Sequence, residues 1–131
     1  MNEGALATAV KDADPRQRLG LEGETRAEAA LRDKGFRILA RRWRCRIGEI
    51  DLIAEDGPWL VFVEVKARAG EGFGWPAEAV DRRKRGRLAR VALAYLQAED
   101  ALERPCRFDV VEVGDDVRHI EDAFRPGSRS S

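Results

Sequence analysis

Two apolar runs separated by a turn constrain the fold of this chain more than any other feature. The runs cover residues 47–54 and 59–67, and Asp56, Gly57 and Pro58 lie between them. Runs rich in Val, Ile and Phe that end at Gly and Pro predict strands, and the short interval predicts that the two strands are neighbours. A β-sheet is therefore expected at the centre of the molecule.

Acidic residues interrupt the first run at alternate positions. Because side chains alternate across a strand, Glu49 and Asp51 are predicted to share one face, and Ile50 and Leu52 to share the other. The polar face of this strand would then carry two carboxylates.

The second run carries Glu64 and Lys66, again on one face. Paired strands lie about 4.8 Å apart, so these groups and the acids of the first run would gather on one side of the sheet. Clustered carboxylates need a cation to offset their repulsion, and Mg²⁺ prefers carboxylate and water oxygens. The pattern predicts a metal site; the alternative is a hairpin whose polar face simply meets water.

One predicted helix lies on each side of this run of strands in the sequence. The first has about 20 residues and ends at Gly35, and Glu24 lies on its apolar face with Leu31. The second is basic, and its Lys84 lines up with the apolar Val91. Glu24 would require a partner near the core, whereas Lys84 either points to the site or extends to water from the end of the apolar stripe.

The order of elements predicts a mixed sheet flanked by helices. A helix is followed by three strands, a second helix, a buried strand over residues 108–113 and a short edge strand over residues 117–121. A Gly-rich loop is expected over residues 69–76. We predict one domain over residues 15–125, with flexible ends at 1–14 and 126–131.

The charges balance overall but are clustered locally. Lys and Arg number 24, as do Asp and Glu, so any attraction for nucleic acid must come from local clusters. Two clusters suit phosphate contacts, and the first includes a tryptophan that could stack on a base; the alternatives are a solvated strand end and a solvated helix face. The residues predicted to bind nucleic acid are Arg41, Arg42, Trp43, Arg44, Arg46, Arg82, Arg83 and Arg87.

Other residue types point to no further chemistry. Cys45 and Cys106 lack the spacing of a zinc site, and reduced thiols agree with an expected cytoplasmic location. His119 is expected at the surface, and Arg107 and Asp109 are expected to form a structural ion pair. No run has the apolar length needed to cross a bilayer, so no membrane association is expected.

With these residues in view, the chain closely resembles the YraN family of uncharacterised bacterial proteins. That family is related to restriction-endonuclease-like proteins and archaeal Holliday-junction resolvases. The resemblance runs from about residue 20 to residue 124. Its motifs are Gly23-Glu24, Gly35-Phe36, Gly48-Glu49-Ile50-Asp51-Leu52, Phe62-Val63-Glu64-Val65-Lys66, Phe73-Gly74, Lys84, Arg107-Phe108-Asp109, His119-Ile120 and Ala123-Phe124.

The resemblance implies an α/β, restriction-endonuclease-like core: a mixed sheet of about five strands flanked by two main helices. It places the helix glutamate, the metal-binding aspartate, the second acid and the lysine of that superfamily at Glu24, Asp51, Glu64 and Lys66. Family members often have Thr at the position of Ala67 and Asn near Arg42, so hydrogen bonds from those side chains are absent in this chain.

The leading hypothesis is a Mg²⁺- or Mn²⁺-dependent endonuclease that acts on DNA, with branched or junction DNA as one candidate substrate. Asp51, Glu64 and Glu24 would serve the metal and Lys66 the attacking water, with Glu49 and Lys84 in supporting positions. The alternatives are a non-catalytic nucleic-acid-binding module of the same fold and an accessory protein that acts through a partner. Junction resolvases of this fold work as dimers, so a homodimer is a further expectation.

Overall fold

The computed structural model describes residues 15–67 and 82–125. The predicted flexible ends at 1–14 and 126–131 and the predicted loop at 69–76 lie outside these residues. The elements, in chain order, are α1 (Pro15–Asp33), β1 (Arg37–Arg44), β2 (Glu49–Asp56), β3 (Trp59–Ala67), α2 (Arg82–Ala98), β4 (Cys106–Val113) and β5 (Val117–Phe124).

The strands form one five-stranded sheet whose spatial order is the same as their order in the chain. Strand β3 pairs with β4 in parallel, and the other three pairings are antiparallel. Parallel neighbours require a crossover connection, and α2 lies in that connection. The mixed sheet with two helices confirms the predicted α/β class and agrees with a restriction-endonuclease-like core.

Each face of the sheet carries its own apolar core. On one face Ala27 and Leu31 of α1 pack among buried residues of the central strands, including Val61 and Val111. On the other face, buried residues of α2 pack on Phe62 and its neighbours. Burial on both faces explains why the central strands read as continuous apolar runs. No helix in the described part of the chain has the length and apolarity to span a membrane.

Helix α1 ends where the sequence predicted. The backbone N–H of Gly35 donates to the carbonyl of Arg32 at 2.9 Å, and that of Phe36 donates to the carbonyl of Leu31 at 3.0 Å. Gly35 has a φ of +94°, a conformation that the absence of a Cβ permits. This pair of bonds is a Schellman motif, and it turns the chain from α1 into β1.

Strand β5 is longer than predicted, because the buried carboxylate of Asp109 holds its far end. The expected strand over residues 117–121 continues to Phe124, past an irregularity in the pairing with β4 between Phe108 and Val110. At that irregularity Asp122 has a φ of +54°, and its N–H donates to Asp109 at 3.0 Å.

The His119 side chain is also drawn into the interior by its contact with Asp109. Its side chain is 6 % exposed, and its Nε2 lies 2.7 Å from Asp109 Oδ2, so the expectation of a surface histidine was wrong. Arg107 Nε donates to Asp109 at 3.0 Å, which confirms the expected structural ion pair. Burial alone would raise the pKa of Asp109, but the hydrogen bonds from His119, Arg107 and Asp122 outweigh it and hold that pKa below its ordinary value.

The pairing of β2 with β3 stops before either strand ends. Their last pair is Leu52 with Val63. Beyond it, β2 stays paired with β1 as far as Glu49, and β3 stays paired with β4 as far as Ala67. The sheet therefore divides into two at this point, which we call the fork.

We predict opposite effects for two glycine-to-alanine substitutions within helices. A Cβ on Gly23 of α1 would lie 2.9 Å from the Cβ of Ala67, whereas a Cβ on Gly86 of α2 would meet, among the described residues, only the end of the Arg90 side chain, at 4.0 Å. Gly86→Ala should therefore stabilise the protein by about 0.5–1 kcal/mol through helix propensity. Gly23→Ala should destabilise it by about 1–3 kcal/mol through overpacking. Urea unfolding of both variants measures the difference, and stabilisation by Gly23→Ala would contradict the close contact.

A second prediction concerns the buried carboxylate of Asp109, which is 0 % exposed. Asp109→Asn should lower the free energy of unfolding by about 3–5 kcal/mol, because it removes the buried charged partner of Arg107 and leaves only the more exposed Asp56 and Glu121. Asp116→Asn removes the same charge from an exposed turn and should change it by less than about 0.5 kcal/mol. Thermal and chemical unfolding near neutral pH compare the two. Equal, small effects would show that the Asp109 network does not hold β5.

Candidate metal centre

Asp51 lies on β2 immediately beyond the fork. Its Oδ2 accepts a hydrogen bond of 2.8 Å from the backbone N–H of Val65 on β3. A side chain thus bonds to the neighbouring strand just where the ladder between the two backbones has stopped. The bond fixes one carboxylate oxygen and places the group in the gap between the diverging strands.

Strand β2 beside this gap and its other neighbour β1 are irregular, and one prediction fails here. Ile50 packs in the core under α2 and Leu52 in the core under α1, so the prediction that they share a face was wrong. Across from Asp51, between the pairs formed by Arg41 and Trp43, Arg42 has a φ of +51°. Left-handed backbone in a non-glycine residue of a strand breaks regular alternation and costs of order 1–3 kcal/mol.

Glu64 lies across the fork from Asp51, on the face of β3 that packs toward α2. Its side chain is only 9 % exposed, and its Oε2 accepts a hydrogen bond of 2.5 Å from Lys84 Nζ. Lys84 therefore lies in line with the apolar face of α2, as the spacing predicted, and its amine reaches an acid of the predicted site.

Glu24 reaches the same region from α1. The neighbouring Gly23 packs against Ala67, which brings this turn of the helix to the end of β3. The Glu24 side chain is 20 % exposed and accepts a hydrogen bond of 2.8 Å from Arg42 Nε. The partner that the sequence required for Glu24 is thus an arginine of β1.

The surroundings of Asp51 disfavour its ionised form. Its pKa is raised from the ordinary 3.8 to about 7, chiefly by burial and then by the negative charges of Glu64 and Glu24. The hydrogen bond from Val65 and the charge of Lys84 act the other way but do not restore the ordinary value. Near neutral pH, the positive charge close to this carboxylate is too small to keep it fully ionised. A divalent cation could supply the missing charge.

Lys66 follows Glu64 by two residues and is partly buried. No hydrogen bond or ion pair of its amine is found within residues 15–67 and 82–125. Its neighbour in the parallel pairing with β4 is Glu112. Within the described residues the Lys66 amine therefore engages neither Glu64 nor Glu112.

Glu112 is an acid near this region that the sequence reasoning did not single out. It is 5 % exposed, its Oε1 lies 3.8 Å from Arg118 Nη1, and its Oε2 has no hydrogen-bond partner among the described residues. Buried acceptors are rarely left unpaired. The alternation of residues 106–113 could have shown that Glu112 points to the face of Val110, but only the pairing of β4 with β3 places it beside Lys66.

The remaining supporting and basic residues fall into two groups. The first group already has partners: Glu49 lies 3.4 Å from Arg44, Arg41 forms two bonds of 2.7 Å to Glu28, and Trp43 packs edge-to-face on Tyr95. The second group is exposed to solvent and consists of Arg46, Arg82, Arg83 and Arg87. The structure thus brings Arg42 to Glu24 but engages Trp43 in packing; nucleic-acid binding by these residues stays a prediction.

The carboxylates of this region are suitable ligands for a divalent cation, although the described acids do not form a complete set of metal ligands. Among the described residues, no group of three acidic, histidine or cysteine side chains is arranged to hold a metal. Glu24 and Glu64 are engaged by Arg42 and Lys84. Asp51 and Glu64 are the residues that could hold the metal, with Glu24 as a further donor. A cavity of about 620 Å³ opens beside Trp59 at the other end of β3, and none of these acids lines it.

Comparison with known proteins identifies the family. The model of the uncharacterised protein family UPF0102 matches residues 23–113. A UPF0102 protein from Nocardia farcinica is 51 % identical over 109 residues, covering 83 % of this chain and 86 % of that protein. UPF0102 protein STH1475 from Symbiobacterium thermophilum is 52 % identical over 114 residues, covering 82 % and 97 %. The chain therefore belongs to the uncharacterised protein family UPF0102, the YraN family that its motifs resemble.

Proposed function

We propose that this protein is a metal-dependent endonuclease that hydrolyses DNA phosphodiester bonds at the fork. The observation that carries the proposal is the pair formed by Asp51 and Glu64. Both acids lie immediately beyond the fork, and burial together with the charge of Glu64 disfavours the ionised form of Asp51 more than the hydrogen bond from Val65 favours it. Placing mutually repelling carboxylates in the interior is costly unless a cation joins them.

Asp51 and Glu64 would hold Mg²⁺ or Mn²⁺, with Glu24 as a further ligand or as support through a water molecule. The metal would supply a nucleophile at neutral pH and offset charge on the phosphoryl oxygens, since water alone has a pKa of about 15.7. The hydrogen bond from Val65 keeps the Asp51 carboxylate oriented. Because that donor is backbone, the orientation does not depend on any other side chain.

Lys66 would orient the attacking water or take its proton. It lies on β3 two residues beyond Glu64, so both side chains project to the same face of that strand. Its amine has no acidic partner in the described chain, in contrast to that of Lys84. An amine in this position can approach a water molecule or a phosphate oxygen beside the acids.

The DNA would be drawn by local clusters of arginine. The chain has no net charge, so long-range attraction is weak. Binding would rest on local contacts between arginine and phosphate, and such contacts depend strongly on salt. Arg82, Arg83 and Arg87 are exposed on α2, whose Lys84 contacts Glu64. A backbone lying along this helix would therefore pass the proposed site, and a junction or flap would present its phosphates in the same way.

A non-catalytic nucleic-acid-binding module is the second candidate. One observation favours it: Glu24 and Glu64 are already paired with Arg42 and Lys84, so the fold holds two of its three acids without a metal ion. In that case the acids would be structural and the arginines alone would act on nucleic acid.

The two functions predict different results in a cleavage assay. With Mg²⁺ or Mn²⁺, the protein should cut at least one of labelled duplex, single-stranded, flap or four-way-junction DNA, and EDTA should stop the reaction. Asp51→Ala and Lys66→Met should abolish cutting, because the first removes a ligand of the metal and the second removes the group that serves the attacking water. Asp33→Ala, an exposed change at the end of α1, is the control that should cut normally. Binding without cutting under every metal condition, unaltered in Asp51→Ala, would refute the enzyme.

The raised pKa of Asp51 predicts a pH-dependent stability. A folded-state pKa of about 7 against an ordinary 3.8 means that the folded protein binds the extra proton between these values. The resulting stabilisation is full below about pH 4 and is lost as the pH rises through 7. Asp51→Asn stays neutral, so relative to wild type its free energy of unfolding should rise by roughly 1–3 kcal/mol between pH 4 and pH 8.

Denaturant unfolding of the two proteins across this range, in EDTA, measures that difference. Saturating Mg²⁺ should stabilise the wild type above pH 7 and leave Asp51→Asn nearly unchanged. A constant difference between the variants at all pH values would show that Asp51 ionises normally.

A further inference from the structure

Lys84 is the cation that balances Glu64 in the protein without metal. Its Nζ lies 2.5 Å from Glu64 Oε2, whose side chain is 9 % exposed, while the Lys84 side chain is 36 % exposed. The carboxylate thus lies in the interior, whereas the lysine side chain is partly exposed to solvent. Of the two partners, only Lys84 can turn out to water without leaving its own charge buried.

A metal on Glu64 would meet this ammonium directly. Two positive charges on one carboxylate repel each other, and the repulsion is strong where little water screens it. The same carboxylate cannot remain unpaired, because a buried charge without a partner is costly. Glu64 therefore requires one cation and disfavours two.

We propose that Lys84 is a built-in competitor of the divalent cation at Glu64, and that phosphate from bound nucleic acid draws it away. The inference rests on the proposed function, since it concerns the same site. Lys84 is a positioning residue in this account: it decides when Glu64 is available and does not itself touch the reacting atoms.

The position of Lys84 on α2 supplies the second half of the inference. It belongs to the first turn of the helix, next to the exposed Arg82 and Arg83. A nucleic-acid backbone bound along that turn would offer phosphate oxygens to the ammonium in exchange for Glu64. Metal and nucleic acid would then strengthen each other's binding by the same factor, as linkage requires.

The competition can be measured without any cleavage. Free Mn²⁺ is followed by electron paramagnetic resonance during titration of Lys66→Met protein, in which DNA stays intact, with and without a short duplex. Lys84→Met is added to this background to remove the ammonium and keep the aliphatic chain. Arg37→Met is the matched control, because it breaks an exposed ion pair with Glu55, at the opposite end of β2 from Asp51. Where Lys84→Met does not fold, Lys84→Gln replaces it.

Without DNA, Lys84→Met should bind Mn²⁺ at least about tenfold more tightly, and Arg37→Met should bind it normally. Duplex DNA should tighten Mn²⁺ binding by the Lys66→Met background protein, which keeps Lys84. It should change Mn²⁺ binding by the Lys84→Met variant much less. Lys84→Met should also lose thermal stability in EDTA and regain it with Mn²⁺. Its rise in Tm on addition of Mn²⁺ should be larger than that of the background protein, which keeps Lys84.

Equal or weaker Mn²⁺ binding by Lys84→Met would overturn the competition while leaving the metal site intact. Absence of Mn²⁺ binding in every variant would overturn the proposed function and this inference together. Tighter binding by Lys84→Met with no effect of DNA on either protein would overturn the exchange with phosphate.

Discussion

The site depends on one constraint: β3 does not stay paired with both β2 and β4 along its whole length. Its parallel pairing with β4 continues to Ala67, whereas its pairing with β2 stops at Val63. The two halves of the sheet therefore separate, and the space between them is where Asp51 reaches across to the backbone of Val65. A regular sheet would have filled this space with backbone hydrogen bonds and left no room for the side chains of the acids.

Two buried acids show how differently this fold treats its carboxylates. Asp109 receives hydrogen bonds from a guanidinium, an imidazole and a backbone N–H, and its pKa is held low. Asp51 receives one hydrogen bond, faces the charge of Glu64, and its pKa is raised to about 7. The first arrangement holds two strands together, and the second leaves a demand for positive charge. Perturbed pKa values of the second kind are typical of functional sites.

Much of the fold was predictable, because apolar runs, Gly35 and the turn at Gly57 depend on local chemistry. The predictions that failed depend on contacts between distant residues. Alternation misplaced Ile50 relative to Leu52, since it assumes a regular strand and the fork is irregular. His119 looks like a surface residue in a short edge strand, and only the position of Asp109 on β4 explains its burial.

The predicted catalytic residues Glu24, Asp51, Glu64 and Lys66 lie on α1, β2 and β3, but the sequence could not show that basic residues already engage Glu24 and Glu64. The most direct test of a metal centre is the anomalous diffraction of a crystal grown with Mn²⁺. The account predicts a peak bound by Asp51 and Glu64, with Lys84 Nζ displaced from Glu64. Lys84 still bonded to Glu64, with no peak at the fork under saturating Mn²⁺, would contradict it.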